Sequence, residues 1–338
     1  MNILLTSAGR RSYIVKYFKE ALNDDGLVHA SNSAWSPALQ VADKTTITPI
    51  IYDSSYINFL LAYSKKNNIT TIISLFDIDL PILSKNKKLF TKNGIKVIVA
   101  DYKTTQICND KWKTFEFLKS TGIRTPDSCL SINEAHQKLI NGNWIFPLII
   151  KPRWGMGSIG IYQTDNDFEL KVLYKKTRDQ IFNSYLKYES SFDANKSVII
   201  QQKLEGSEYG LDVFNDLKGK FLTCIPKRKI AMRAGETESA EVINNSELFK
   251  IGKKLSQSLS FVANLDVDCI KTRKGYYVLD LNCRFGGLYP FSHLAGANFP
   301  KAIISMLKNE SIKKSLLSVK FGVTGIKDIV PIKFNYQK

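Results

Sequence analysis

Histidine is scarce in this chain: 338 residues contain His29, His136 and His293, far apart from one another. Five cysteines, Cys108, Cys129, Cys224, Cys269 and Cys283, make no C-x-x-C pair. That scatter argues against a zinc site and a disulfide framework alike, and leaves the cysteines to read as small buried hydrophobes. Long apolar runs are missing too. None approaches the ~20 residues that cross a bilayer, and the run in "MNILLTSAGRR" is too short for a secretory signal, so a cytoplasmic protein without membrane contact is expected. G-x-x-x-x-G-K-[ST] is absent, and the first strand–helix turn holds one glycine, Gly9, in place of G-x-G-x-x-G. No acid closes the second strand, "LVHASN", where a nicotinamide ribose would need one.

What is present is a basic, ordinary globular composition, 44% hydrophobic with a formal charge of +17. The length suggests about two domains at one per ~150 residues. The lysines are spread through "KNKKLF", "KVLYKK" and "KIGKKL" with no run of five or six like charges. This reads as a solvated surface in preference to a nucleic-acid footprint, although the same field favours an anionic substrate such as a nucleotide.

The first hundred residues alternate strand and helix: "NILLTSAG" then "RRSYIVKYFKEAL", "LVHASN", "TTIISLF" then "DIDLPILSKNKKLF", and "GIKVIVA". Alternation of this kind implies a parallel sheet with helices on both faces. Ser7, Gly9 and Arg10 would sit at the carboxyl end of the first strand, where such sheets bind ligands. From about residue 103 the pattern changes to a helix in "NDKWKTFEFLKSTGIRTPDS" with Asn109 or Asp110 near its cap, then strand, glycine-rich turn and strand in "FPLIIKPRWGMGSIGIYQ". Strands follow in "VIIQQKLEG", "EYGLDVFND" and "KGKFLTCIPKRKI". "RAGETESAE" reads as a polar loop leading into a helix around "LFKIGKKLSQSL", and "LDVDCIKTRKGYYVLDLNCRF" as a hairpin turning at Lys274-Gly275.

Three stretches carry chemistry. In "VLDLNCRFGG" Asp280, Asn282 and Arg284 alternate, so they project from one face of a strand. Asp268 lies across the hairpin. Oxygen donors of this type suit Mg²⁺, which binds one or two carboxylates and completes its shell with water and phosphates; Arg284 adds a permanently charged fork for a phosphoryl group. In "KPRWGMGSIG" a glycine-rich turn lets backbone N–H groups approach phosphate, with Lys151 as a point charge. In "VIIQQKLEGSEYGLDV" a strand ending in a short polar link offers main-chain groups to a purine edge, and Glu208 could accept from ribose hydroxyls. The rival readings are a polar sheet face, a flexible turn and an interstrand turn at Glu205-Gly206.

Taken together and in this order, the three stretches resemble the ATP-grasp superfamily, in particular free-standing proteins similar to one half of the carbamoyl phosphate synthetase large chain. The likeness covers roughly residues 1 to 307. It implies a Rossmann-like pre-domain over 1–102, a two-subdomain ATP-grasp fold over 103–307 with a lid at about 112–200, and a tail over 308–338 packing on the core. It implies ATP with Mg²⁺, or Mn²⁺, as cofactors. Lys111 and Lys151 would hold phosphates, Gly155, Gly157 and Ser158 would close over them, Gln201, Gln202 and Leu204 would face adenine, and Glu208 would take the ribose. Asp268, Asp280 and Asn282 would be metal ligands and Arg284 would stabilise the transferring phosphoryl group, with Arg284 and Lys151 the catalytic pair. Three positions depart from the family pattern: Gln201 and Asp280 stand where Glu is usual, and Cys283 where Pro is usual; Cys283 should point away from the ligands and pack.

The expected activity is joining a small carboxylate, such as an amino acid, to an amine through an acylphosphate. Lys227, Arg228 and Arg233 could grip a carboxylate, Glu236 could pair with an ammonium, and Gly286-Gly287 could offer N–H groups, with Ser7 and Arg10 on the far wall. Alternatives are carboxyphosphate chemistry on bicarbonate and a nucleotide-binding protein without turnover. A homodimer is left open.

Overall fold

Ile3, Leu4 and Leu5 are all fully buried, which a strand achieves only when both faces of its sheet are covered. In the computed structural model, which describes residues 1–155, 159–233 and 235–333, this strand is β1 (Asn2–Thr6). It is the centre of a parallel sheet with β2 (Val28–Asn32), β3 (Lys44–Ile47), β4 (Ile69–Ser74) and β5 (Lys96–Ile98), in the order β3-β2-β1-β4-β5. The helix Ser12–Leu22 packs on Ile3 and Leu5, and the helices Tyr56–Lys66 and Asp79–Lys92 pack on Leu4. Strand order reverses between β1 and β4, so the loops that follow them meet at one carboxyl edge. Asp79 pins that meeting: its buried carboxylate accepts from Thr6 Oγ1 (2.5 Å), Ser74 Oγ (2.8 Å) and Tyr56 OH (2.9 Å).

A second, antiparallel sheet comprises β6 (Ser128–Cys129), β7 (Leu148–Pro152), β8 (Tyr162–Thr164) and β9 (Val198–Gln202), ordered β6-β9-β7-β8. Its alternation divides the two faces. Leu148, Ile150, Val198 and Ile200 pack under the helix Asp167–Phe182 in a core of their own. Ile149, Lys151, Ile199 and Gln201, paired across β7 and β9, share the other face.

The third sheet is antiparallel and six-stranded: β10 (Ser207–Asn215), β11 (Phe221–Arg233), β12 (Glu236–Val242), β13 (Ala263–Thr272), β14 (Gly275–Asn282) and β15 (Thr324–Ile326), ordered β14-β13-β10-β11-β12-β15. Two cores run continuously from the parallel sheet into this one, the first joining Ile3 to Phe285, the second joining Leu4 to Val267. The mixed fold with a parallel N-terminal sheet is therefore the one expected from the alternation. One local expectation is corrected: "RAGETESAE" is not a loop, since Glu236–Val242 forms β12, hydrogen-bonded to β11 and turning at Gly235 (φ +78). Its buried positions are Thr237, Ser239, Ala240 and Val242, of which all but Val242 are small or polar, and this hides the period of a strand. The β13–β14 turn also lies one residue earlier than expected, because Thr272 pairs with Gly275. Among the described residues no helix is long and apolar enough to cross a membrane.

Gly252 shows how closely the helix Ser246–Ser258 sits on the six-stranded sheet: a Cβ there would lie 2.4 Å from Cys224 Sγ and 3.1 Å from Val213 Cγ2. Gly→Ala in a helix is worth up to ~1 kcal/mol of propensity, whereas overpacking a tight core costs about 1–3 kcal/mol. The clash is with a side chain rooted in a central strand, so packing decides the sign. Gly252→Ala is expected to lower unfolding free energy by about 1–2 kcal/mol, read as a lower urea midpoint at unchanged slope; a raised midpoint would contradict this packing.

Candidate active site

β13 and β14 set the floor of a cleft between the three sheets. Asp268 lies directly opposite Asp280, and Asp266 opposite Asn282. Cross-strand partners share a face, as do residues two apart along a strand, so four oxygen-bearing side chains form a two-by-two patch. The cleft above them has a volume of ≈ 390 Å³, within the ~300–1,000 Å³ usual for small-molecule sites. A hollow of similar volume beside Leu217, Val262 and Ile98 has no carboxylate among its walls, so the chemistry is read from the first.

Cations reach this patch from every side. Lys151, at the end of β7, and Lys111, at the start of the helix Lys111–Ser120, stand 4.0 and 3.8 Å from Asp280. Lys111 Nζ also donates to the Gly155 carbonyl at 2.6 Å. Asp110 fixes the start of that helix, accepting from Trp112 N and Lys113 N; it also accepts from Nε and Nη2 of the buried Arg153 at 2.8 and 2.7 Å. The helix cap and the end of β7 are thereby tied together, and with them the two lysines. Lys229 of β11 bridges Asp268 (2.7 Å) and Glu208 (3.2 Å).

Arg284, just past β14, is held more firmly. Its Nε and Nη2 donate to Asp77 at 3.1 and 2.8 Å, and its Nη1 to Asp266 at 2.7 Å. Asp77 lies in the loop after β4, so the clamp crosses from the switch point of the parallel sheet to the six-stranded sheet. Gly286 leaves room for it: a Cβ there would fall 2.0–2.3 Å from the Asp266 carboxylate. Burial opposes charge on Arg284, yet Asp77 and Asp266 outweigh it and raise its pKa.

The two facing carboxylates are shifted in opposite directions. Burial pushes Asp268 above the usual carboxylate value, and Lys229 only partly offsets it. Burial also presses on Asp280, but Lys111, Lys151 and Lys229 together carry it below that value. Lys151, buried, is lowered by desolvation despite Asp280.

Of the residues picked out from sequence, Lys111, Lys151, Gly155, Glu236, Asp268, Asp280, Asn282, Arg284 and Gly287 line the cleft. Glu208 reaches it through Lys229. Gln201 is on the cleft-facing side of its sheet but buried, its Nε2 donating to Ser128 Oγ at 2.8 Å; Gln202 is half-buried with its N–H on the Asp127 carbonyl, and Leu204 is half-buried just past β9. Gly157 and Ser158 lie outside the described residues.

Other residues are placed elsewhere. Lys227 is fully buried against Asp212 and Ser292, so it is a structural cation and not a substrate grip. Arg228 and Arg233 are exposed, paired with Glu241 (2.7 Å) and Glu238 (3.2 Å), and are not on the cleft wall. Ser7 Oγ donates to Asp79 at 3.2 Å, and Arg10 is exposed while its neighbour Arg11 faces the cleft. Cys283 packs in the core. Asp77, Asp266, Lys229 and Arg11 were not singled out from sequence. Asp266 had a signal, since "LDVD" repeats on β13 the alternation of Asp280 and Asn282.

Among the described residues no three His, Cys, Asp or Glu side chains gather closely enough to hold an ion by themselves. The donors present are all oxygens and sit beside lysines. That set fits a hard divalent cation bound partly by protein carboxylates and partly by substrate phosphates, not a closed protein cage.

Residues 108–288 match the ATP-grasp domain, and residues 3–98 match the "PylC-like, N-terminal domain". The carbamoyl phosphate synthase large chain of Clostridium acetobutylicum is 20% identical over 292 residues, 82% of this chain and 26% of that one. This chain thus spans about a quarter of the length of that relative. The D-alanine–D-alanine ligase of Petrotoga mobilis is 25% identical over 236 residues, 64% of this chain and 72% of that one. The crystal structure of an L-amino acid ligase from Bacillus licheniformis superposes with a TM-score of 0.72 at 15% identity, covering 98% of this chain and 81% of that one. The ATP-grasp match runs through more than half of the sequence and through β13, β14 and the cleft lysines Lys111, Lys151 and Lys229, and the chain belongs to the ATP-grasp family.

Proposed function

We propose that the chain is an ATP-dependent carboxylate:amine ligase that activates a small acid, an amino acid or a close relative, and joins it to an amine with release of ADP and phosphate. The observation that carries this reading is the convergence of Asp268, Asp280, Lys111, Lys151 and Arg284, from three separate parts of the fold, on one cleft.

In this reading Lys111 and Lys151 bind the nucleotide phosphates and the segment that begins at Gly155, with Gly157 and Ser158, covers them. Gln201, Gln202 and Leu204 face the base, and Glu208 the ribose. Asp268, Asp280 and Asn282 hold Mg²⁺ or Mn²⁺, which when bound supplies Lewis-acid neutralisation of phosphate charge. The acid's oxygen attacks the terminal phosphorus as the bond to the β-phosphate breaks; the amine nitrogen then attacks the acyl carbon, loses a proton, and phosphate leaves. Anions are brought together in the first step, so fixed cations do most of the catalytic work. No Ser-His or Cys-His nucleophile is required.

The ion pairs of the cleft support this use. Lys111 and Lys151 stand 3.8 and 4.0 Å from Asp280, beyond direct hydrogen-bonding distance. A nucleotide with its cation offers each side a better partner: phosphate for the lysines, metal for the carboxylate. Charge is exchanged between partners, and none is stranded.

The direct test is ADP release with ATP and Mg²⁺ over pairs drawn from amino acids and amines. Release that needs an acid and an amine together, with a product of their joint mass less water, is the expected result. Release driven by bicarbonate alone would replace this reading with carboxyphosphate chemistry.

The opposed shifts of Asp268 and Asp280 give a second expectation, for the metal-free chain in chelator. A raised Asp268 binds its proton more tightly when folded, so its contribution to stability grows as pH falls through its folded pKa. A depressed Asp280 contributes stability that is present above the ordinary carboxylate pKa of ~3.9 and is lost as pH falls through its folded value. At neutral pH Asp280→Asn should therefore lower the urea midpoint more than Asp268→Asn does, since removing Asp268 relieves a buried carboxylate but also takes from Lys229 its 2.7 Å partner. Equal shifts of the same sign would contradict the charge arrangement described here.

A further inference from the structure

Arg11, at one end of the cleft, lacks the counter-charge that the other cations there have, and Lys327, behind Gly287 of the cleft wall, has only a distant and exposed one. Lys111, Lys151, Lys229 and Arg284 each have a carboxylate at ion-pair distance. Arg11, in the turn after β1, faces the same cleft, and among the described residues no carboxylate lies at ion-pair distance from its guanidinium. Lys327, one residue past β15, has its Nζ buried with no hydrogen-bond partner among the described residues. Its ion-pair partner, Glu236, is 3.9 Å away and 65% exposed, and Asp266 acts on it from farther off.

Lys327 is not on a loose tail. β15 is the edge strand beside β12, with Ser239 opposite Ile326 and Ala240 opposite Gly325. Lys327 N donates to the Glu238 carbonyl and Ser239 Oγ to the Gly325 carbonyl, both at 2.8 Å. Gly325 admits no side chain, because a Cβ would lie 2.8 and 2.9 Å from Leu294 and Phe291 carbons. This anchoring delivers the ammonium to within 3.6 Å of where a Gly287 side chain would begin. An ammonium shut from water without an acceptor forfeits hydration for no return. Burial, and then the charge of Arg11, hold Lys327 below the ordinary lysine value even with Glu236 near; burial and then Arg284 do the same to Arg11.

Along β13 and β14, Lys111 and Lys151 attend the Asp280 end of the carboxylate patch, while Arg11 and Lys327 lie at the Arg284 end. With Arg284, Asp77 and Asp266 included the charges at this end cancel, yet among the described residues Arg11 has no carboxylate at ion-pair distance and Lys327 Nζ has no hydrogen-bond acceptor, a pair of vacant donors that suits a carboxylate placed between them. We propose that Arg11 and Lys327 form the seat for a substrate carboxylate, that of an amino acid whose ammonium faces Glu236. Lys327 lies beyond residues 108–288, which match the ATP-grasp domain, so the C-terminal segment supplies part of the substrate specificity. This rests on the ligase reading and adds to it the group that is recognised and the residues that recognise it.

The test uses the full chain saturated with MgADP, and the standard amino acids with their carboxamides as probes, ranked by thermal shift and then titrated by calorimetry. At least one acid should bind and its carboxamide bind about tenfold more weakly or worse, the loss expected for a charge-assisted contact. Arg11→Gln and Lys327→Met should each weaken that acid by about tenfold to hundredfold, leave MgADP affinity unchanged, and Lys327→Arg should restore binding. The proposal is overturned if both variants bind the acid as the parent does, or if no acid in the panel is distinguished from its carboxamide. A parent chain that binds no MgADP would instead bring down the ligase reading, and this inference with it.

Discussion

The guanidinium of Arg284 is shared between two carboxylates that belong to different sheets, and the arrangement of the site depends on that sharing. Asp77 comes from the loop after β4, 207 residues away in sequence, and Asp266 from β13. A fork with five donors in one plane can hold two acids at set angles where a lysine could not. Removing either acid would leave the other facing a largely buried charge alone, which is why such triads are costly to break even when they add little net stability. The clamp therefore sets the distance between the switch point of the parallel sheet and the carboxylate patch, and so the width of the cleft.

Around that fixed point the rest of the cleft is charged but not tight. Burial raises the Asp268 pKa and Lys229 only partly offsets it, while Asp280 is shared at a distance by two lysines. Facing carboxylates shifted in opposite directions are a pattern common at functional sites. The architecture allows adjustment as well. The sheet that carries Lys151 packs in a separate core, whereas the parallel and six-stranded sheets share theirs. What joins that sheet to the floor near the site is polar: Asp110 with Arg153, and Lys111 with the Gly155 carbonyl.

Much of this was legible in the sequence, and the reasons differ by residue. The parallel sheet follows from strand and helix alternation, and the facing of Asp268 and Asp280 from period two across one tight hairpin. Both are local patterns. Asp77 and Arg11 carry no local mark, because their meaning comes from a strand order that brings two loops together. Lys227 sits in the same basic stretch as Arg228 and Lys229, and only the strand register and Ser292 of the helix Tyr289–Leu294 separate a buried structural charge from an exposed one and a cleft one. β12 carries little strand signal because most of its buried side chains are small or polar, and β3 carries little because an edge strand of "KTTI" has no apolar face. Lys327 could not be assigned before β15 was seen to join the sheet.

The central claim is that the carboxylate patch and the two lysines together hold a triphosphate and a divalent cation. Calorimetric titration of the full chain with a non-hydrolysable ATP analogue, with Mg²⁺ and with chelator, tests it most directly, on the parent and on an Asp268→Ala, Asp280→Ala double variant. The account predicts binding that is strengthened by Mg²⁺ in the parent and has lost that dependence in the variant. Nucleotide binding of equal strength with and without Mg²⁺, or a variant as metal-dependent as the parent, would contradict it.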